Sequence, residues 1–154
     1  QLEDVAQVYA IDALSFALPW SERSYRYELT ENPNSRAWVA EALDGQGQTR
    51  VVGMIVVWII LDGAHVATIA VLPEFQRMHL GQGLLALALE DAARDGAALA
   101  YLEVRRGNLA AQAMYERFGF VVNGLRPRYY LDNGEDALLM VLSPLQVETL
   151  RQFK

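Results

Sequence analysis

The chain has 154 residues, 53% of them hydrophobic, so it can bury a core of its own and is expected to fold as one domain over 1–154. A net charge of −6 argues against unaided nucleic-acid binding and suits a cationic partner, an amine or a basic peptide. The absence of cysteine excludes disulfides and a thiol nucleophile, and His65 and His79 lack metal-ligand spacing, so no metal is expected.

Leu2, Val5, Val8, Tyr9 and the run Asp12-Ala13-Leu14 recur at helical spacing, so the chain is expected to open in a helix. Pro19-Trp20 breaks it, and Ser21 is placed to cap a second helix over 22–30. After the turn Asn32-Pro33-Asn34, residues 37–43, 50–61 and 64–71 read as a three-strand meander, joined by Asp44-Gly45-Gln46-Gly47 and Asp62-Gly63. The apolar run 54–61 is too short to cross a membrane and no signal-peptide pattern opens the chain, so a cytoplasmic location without a membrane partner is expected. A helix is predicted over 83–94, closed by Gly96, and then a strand over 98–105. Asn108 is placed to cap a helix over 109–118 that Gly119 ends. Strands over 120–125 and 137–142 follow, joined by a loop holding Asp132-Asn133-Gly134. This order implies an α+β, three-layer fold: a mixed, mostly antiparallel sheet with helices on both faces.

Residues 68–85 organise the rest. A short apolar strand stops at Pro73, which brings no donor to a ladder. A polar loop with Gln76 and Arg77 leads to Gly81 and Gly83 and then to a helical run. Glycines at a helix start leave backbone amides bare where free donors and the dipole favour an anion, so the stretch reads as a pyrophosphate cradle. Gly81-Gln82-Gly83-Leu84-Leu85-Ala86 also fits a dinucleotide fingerprint, with Glu103 roughly twenty positions on. That fingerprint needs its glycine turn directly after the strand, whereas residues 73–80 intervene here. The absence of Gly-Lys-Ser/Thr excludes a Walker-type loop, and a glycine pair that merely starts a helix stays open.

Tyr101, Glu103 and Arg105 alternate on one strand and share a face. A carboxylate on a central strand is costly unless paired or used, so Glu103 is either an ion-pair partner of Arg105 or another arginine, or a working group. Tyr115 lies two helical turns after Asn108 on the same side, as a core aromatic or a proton donor.

Taken together, Ile69-Ala70-Val71, the run from Gln76 to Gly83, Leu102-Glu103-Val104-Arg105, Asn108, and the run from Ala113 to Phe120 resemble the motifs of the GCN5-related N-acetyltransferases. Pro19-Trp20-Ser21-Glu22, Arg128-Tyr129-Tyr130 and the run from Gly134 to Met140 resemble the branch that acetylates the N-terminal alanine of a small-subunit ribosomal protein. The resemblance covers nearly the whole chain. Met78 departs from it, standing where Arg or Gln is usual and removing a side-chain phosphate contact; His79 stands where glycine is common and stiffens the loop. The family also usually opens with a strand before the first helix, and none is legible before residue 2.

The resemblance implies an acetyl-CoA-dependent transferase acting on the N-terminus of a ribosomal protein, with no metal, as a monomer or weak dimer. It implies that the backbone of Ile69, Ala70 and Val71 pairs with the pantetheine arm. The amides of Arg77, Met78, His79, Leu80, Gly81, Gln82 and Gly83 would hold the pyrophosphate, and Asn108 the thioester region. Glu103 would be the general base and Tyr115 the general acid; because an ordinary glutamate is a weak base, either burial is expected to raise the pKa of Glu103 or a water to relay the proton. Trp20, Tyr129 and Tyr130 would wall the peptide slot, with Trp20 as a plug between helices and the tyrosines as an edge pair for the bland alternatives. Glu135 and Asp136 either attract a basic peptide or are solvated turn residues.

Overall fold

The structure, a computed structural model, describes residues 1–154. A 3₁₀ turn at Leu2–Asp4 leads into α1 (Val5–Ser15) and α2 (Glu22–Thr30). Ser21 caps α2 by accepting a hydrogen bond from Ser24 N–H at 3.0 Å. Three antiparallel strands follow, β1 (Ser35–Leu43), β2 (Thr49–Ile60) and β3 (Gly63–Val71). Then come α3 (Leu80–Arg94), β4 (Leu99–Arg105), α4 (Leu109–Phe118), β5 (Val121–Arg126), β6 (Ala137–Leu142) and a short α5 (Val147–Arg151).

The six strands form one mixed sheet in the order β1-β2-β3-β4-β6-β5, antiparallel everywhere except between β3 and β4. That parallel contact covers only Gly63↔Leu99, Ala64↔Ala100 and His65↔Tyr101. Past those rungs the strands part, and every later feature of the site depends on the gap.

Alternation along the strands sorts side chains into two cores. Ile55, Val57, Leu102, Val104 and Met140 pack with Leu85 and Leu89 of α3 and Phe118 of α4 on one face. Val52, Met54 and Val56 pack with Val5, Val8 and Ile11 of α1 and Tyr25 of α2 on the other. A fully buried leucine such as Leu85 gains roughly 2 kcal/mol by leaving water. α5 has no sequence signal strong enough to predict it. Leu150, 1% exposed, and Arg151, 3.5 Å from the buried Glu90 of α3, hold it in place.

One expectation changes at the loop before α3. The helix begins at Leu80 rather than at residue 83, so Gly81 lies inside its first turn together with Gly83. The loop ahead of it has left-handed backbone at Arg77 (φ 63) and His79 (φ 60). Each costs of order 1 kcal/mol for a residue with a Cβ, a strain the surrounding fold has to offset.

Candidate active site

Where β3 and β4 separate, a cleft of about 700 Å³ opens through the sheet. Ile69, Ala70 and Val71 form one wall, Leu102 to Arg105 the other, and the start of α3 closes one end. The backbone edge of β3 beyond His65 has no strand partner on this side, so it offers free donors and acceptors to an extended ligand. Gln76 Nε2 donates to Val71 O at 3.1 Å and ties the loop to the end of β3.

At the α3 end the first rung of the helix ladder is Gly83 N–H to His79 O at 2.9 Å. The N–H groups of Leu80, Gly81 and Gln82 are therefore the free donors of the first turn, at the positive end of the dipole. A Cβ on Gly83 would meet nothing within 4 Å, and one on Gly81 only ordinary contacts at 3.7 Å and beyond. The glycines add no side-chain bulk beside these donors, which are suited to an anion. His79 and Arg77 line the same end, whereas Met78 is 60% exposed and lies outside the cleft. The residue that departs from the usual pattern is thus turned away from the cleft.

Farther along, Asn108 Oδ1 accepts from Ala111 N–H at 3.2 Å and so starts α4. That cap orients the helix so that Met114 and Tyr115 face the cleft. Tyr115 is 5% exposed and packs on Phe120 at 5.8 Å, and burial pushes its phenol well above the ordinary value. Burial thus favours its neutral, hydrogen-bond-donating form.

Glu103 faces Tyr115's cleft from β4 but does not pair with Arg105. Its Oε2 lies 2.7 Å from His65 Nε2 and its Oε1 3.6 Å from Arg126 Nη2. The expected rise in its pKa is overturned: the hydrogen bond from His65, aided by the charge of Arg126, holds the carboxyl below its usual range against the opposing effect of burial. Arg105 instead reaches the β5–β6 loop. It bonds Asp132 at 2.9 Å and Glu135 at 3.3 Å, and its guanidinium lies 3.9 Å over the Tyr130 ring. Glu135 also accepts from Gly107 N–H at 2.7 Å, and Asp136 pairs with Arg106 at 3.3 Å. Both acids are engaged in pinning the loop while staying partly exposed.

Tyr130, pushed up to about 12 chiefly by burial, lines the cleft beside Glu103, with Tyr129 edge-on to it at 5.2 Å. Trp20 is elsewhere: it stacks on Trp58 at 5.8 Å and on Tyr25 at 5.3 Å, under the α1–α2 turn and off the cleft wall. Ser15 and Phe16, at the end of α1, are the residues of that region that reach the cleft. His65, Arg126 and Phe16 were not foreseen. Only the register Trp58↔His65↔Tyr101 brings the histidine beside Glu103, and that pairing of strands is not readable from spacing. No group of three or more His, Cys, Asp or Glu side chains is arranged to hold a metal ion. No helix is long and apolar enough to cross a membrane.

Known proteins share this fold. The model of the acetyltransferase (GNAT) family matches residues 5–120. A Bacillus subtilis (strain 168) protein, provisionally named a ribosomal protein bS18-alanine N-acetyltransferase, is 41% identical over 140 residues, covering 91% of this chain and 89% of its own. The crystal structure of the ribosomal-protein-S18-alanine N-acetyltransferase from Escherichia coli superposes with a TM-score of 0.81 at 31% identity, covering 95% of this chain and 90% of that one. A chain of the NatC complex bound to Gag peptide and CoA superposes with a TM-score of 0.82 at 25% identity, covering 94% and 92%.

Proposed function

The chain belongs to the acetyltransferase (GNAT) family and is an acetyl-CoA-dependent acyltransferase; from that premise we propose that its acceptor is the α-amine of a protein N-terminus, an N-terminal alanine of a ribosomal protein. The observation that carries the reading is the parting of β3 and β4, which puts the free donors of α3, Glu103 and Tyr115 on the walls of one cleft.

Bound acetyl-CoA supplies an activated acetyl thioester. The β3 edge at Ile69, Ala70 and Val71 would hold its extended arm as an added strand does, and the free amides of Leu80, Gly81 and Gln82 would receive the diphosphate. Asn108, its oxygen already committed to the helix cap, has its amide nitrogen left for the thioester region.

Glu103 receives the acceptor amine as its proton leaves. A peptide α-amine has a pKa of about 8 against about 10.4 for a lysine, so losing that proton near neutrality costs little. An ionised carboxylate is suited to this step, because it draws the ammonium in and then passes the proton on through water. Tyr115 donates a hydrogen bond towards the departing sulfur. Full transfer from a phenol pushed so high to a thiolate, whose acid is near about 8.5, runs uphill. Its contribution is therefore charge stabilisation during bond breaking, with the proton following. The chain has no cysteine to carry the acetyl group, so the amine attacks directly with both substrates bound. Tyr129 and Tyr130, held over this point by Arg105, would flank the peptide.

The deciding experiment offers acetyl-CoA with peptides bearing a free N-terminal alanine, and with N-blocked peptides containing lysine. Mass spectrometry is expected to show acetylation of the first set alone. Acetylated lysine in the blocked set would overturn the α-amine assignment.

A further inference from the structure

The catalytic reading leaves His65 without a role, although its surroundings are among the most constrained in the site. It occupies the last rung at which β3 and β4 are paired, opposite Tyr101, just before the cleft opens. Its ring lies flat on Tyr101 at 4.7 Å with an interplanar angle of 8°. Trp58 meets it edge-on at 5.5 Å, and Trp58 is itself fixed by Nε1–H donating to Glu28 at 2.9 Å and by stacking on Trp20. With aromatic neighbours on two sides the imidazole has one direction left for its Nε2, and Glu103 Oε2 stands there at 2.7 Å. The two side chains are only 17% and 11% exposed.

We propose that His65 is a positioning residue for acetyl transfer: its Nε2–H fixes Oε2 of Glu103 and leaves Oε1, which Arg126 approaches at 3.6 Å, as the carboxylate oxygen open to the acceptor amine. The proposal rests on the reading of Glu103 given above. An ionised carboxylate only accepts hydrogen bonds, so the shared hydrogen belongs to the histidine and the imidazole is an Nε2–H donor. A glutamate side chain on its own samples several rotamers, and a group that must meet an amine in one geometry loses rate when it wanders. The aromatic row Trp20–Trp58–His65–Tyr101 is the support that keeps the donor still.

The other charged or titratable groups facing the pair are few. Arg126 approaches from β5, Tyr101 from β4 and Tyr130 from the β5–β6 loop, while β6 presents Leu139 opposite Glu103. Glu28 of α2 is separated from the imidazole by Trp58. Of these, the histidine is the largest influence holding the carboxyl low, so removing it lets burial dominate.

The test follows the side-chain carboxyl of Glu103 by carbon-13 NMR in the free protein, its signal assigned by loss in Glu103→Gln. In His65→Leu the titration midpoint is expected to move to higher pH. In His65→Gln, which keeps an amide donor, it is expected to stay near the wild-type position. Steady-state kinetics with a free-N-terminus peptide should show kcat down about tenfold in His65→Leu, the KM for acetyl-CoA unchanged, and most of the loss restored in His65→Gln. If His65→Leu does not bind acetyl-CoA and so has not folded, His65→Asn, shorter than the gap it must span, replaces it with the same expectations. An unmoved midpoint, or equal losses of kcat in the leucine and glutamine variants, would reduce His65 to packing and overturn the proposal. Full turnover in Glu103→Gln would sink the role of Glu103 and with it this use of His65, while the titration would still report whether the two are bonded.

Discussion

At the α3 end of the cleft the protein offers free backbone N–H groups from one short run, Leu80 to Gln82; at the β4 end it offers side chains from separate elements, His65 of β3, Glu103 of β4, Tyr115 of α4 and Arg126 of β5. The first end needs a local backbone shape and an absence of bulk, so it tolerates an unusual residue such as the outward-facing Met78. The second needs four elements in register, and each side chain there has a partner that sets its charge or direction. On the proposed reading one end serves affinity and the other turnover, and the two should fail differently when altered.

Glu103→Gln gives the largest expected effect. It keeps the shape and removes the charge, and kcat should fall about a hundredfold or more with the affinity for acetyl-CoA nearly unchanged, as measured by single-turnover kinetics and calorimetry. Gly83→Glu should do the reverse. A carboxylate placed in the open space over the helix donors repels the diphosphate, raising the Kd for acetyl-CoA about a hundredfold. Its thermal midpoint should hardly move. A drop in kcat at saturating acetyl-CoA instead would break the division between the two ends. Tyr115→Phe should lower kcat about tenfold or somewhat more, the range of one lost hydrogen bond to developing charge.

Arg105→Ala should be milder and should appear in the KM for peptide. With Asp132, Glu135 and Tyr130 released, the loop carrying Tyr129 and Tyr130 loosens, and that KM should rise several-fold while the one for acetyl-CoA stays put. The smallest effect is one of pH. Glu103 is held below its usual range, so it is ionised at every pH above that, and its protonation should limit activity only in strong acid. The acid limb near neutrality should therefore follow the acceptor amine, about 8 for an α-amine, and move when a peptide of different amine pKa is used. Tyr115 is pushed upward, so it should cause no alkaline loss up to about pH 10. A limb that ignores the peptide would return the titration to the enzyme.

Legibility in the sequence followed the same division. The Ser21 cap on α2, and α4 set between Asn108 and Gly119, are local patterns and stand where the residues predicted them. The helix start after the glycine-bearing loop was legible as a place, but α3 starts three residues early because the first turn accepts glycine, while the left-handed positions fall to Arg77 and His79. Shared strand alternation points to Arg105 as a partner of Glu103. That pairing gives way because the β5–β6 loop folds three acceptors, Asp132, Asn133 and Glu135, onto the guanidinium. α5 is not legible because five residues carry little periodicity, and its place depends on α3.

What the sequence alone determined is the run of elements from α1 to β6, the mixed sheet with helices on both faces, a helix start marked by two glycines, and the absence of a thiol route. These depend on periodicity, caps and composition, which act over a few residues. Only the tertiary structure decided that β3 and β4 stay paired for three rungs and then part, that His65, 38 positions from Glu103 along the chain, is the group bonded to it, and that Arg105 serves the loop instead. Strand register sets those contacts, and register comes from the packing of whole layers, a balance of many burials that no short stretch of residues contains.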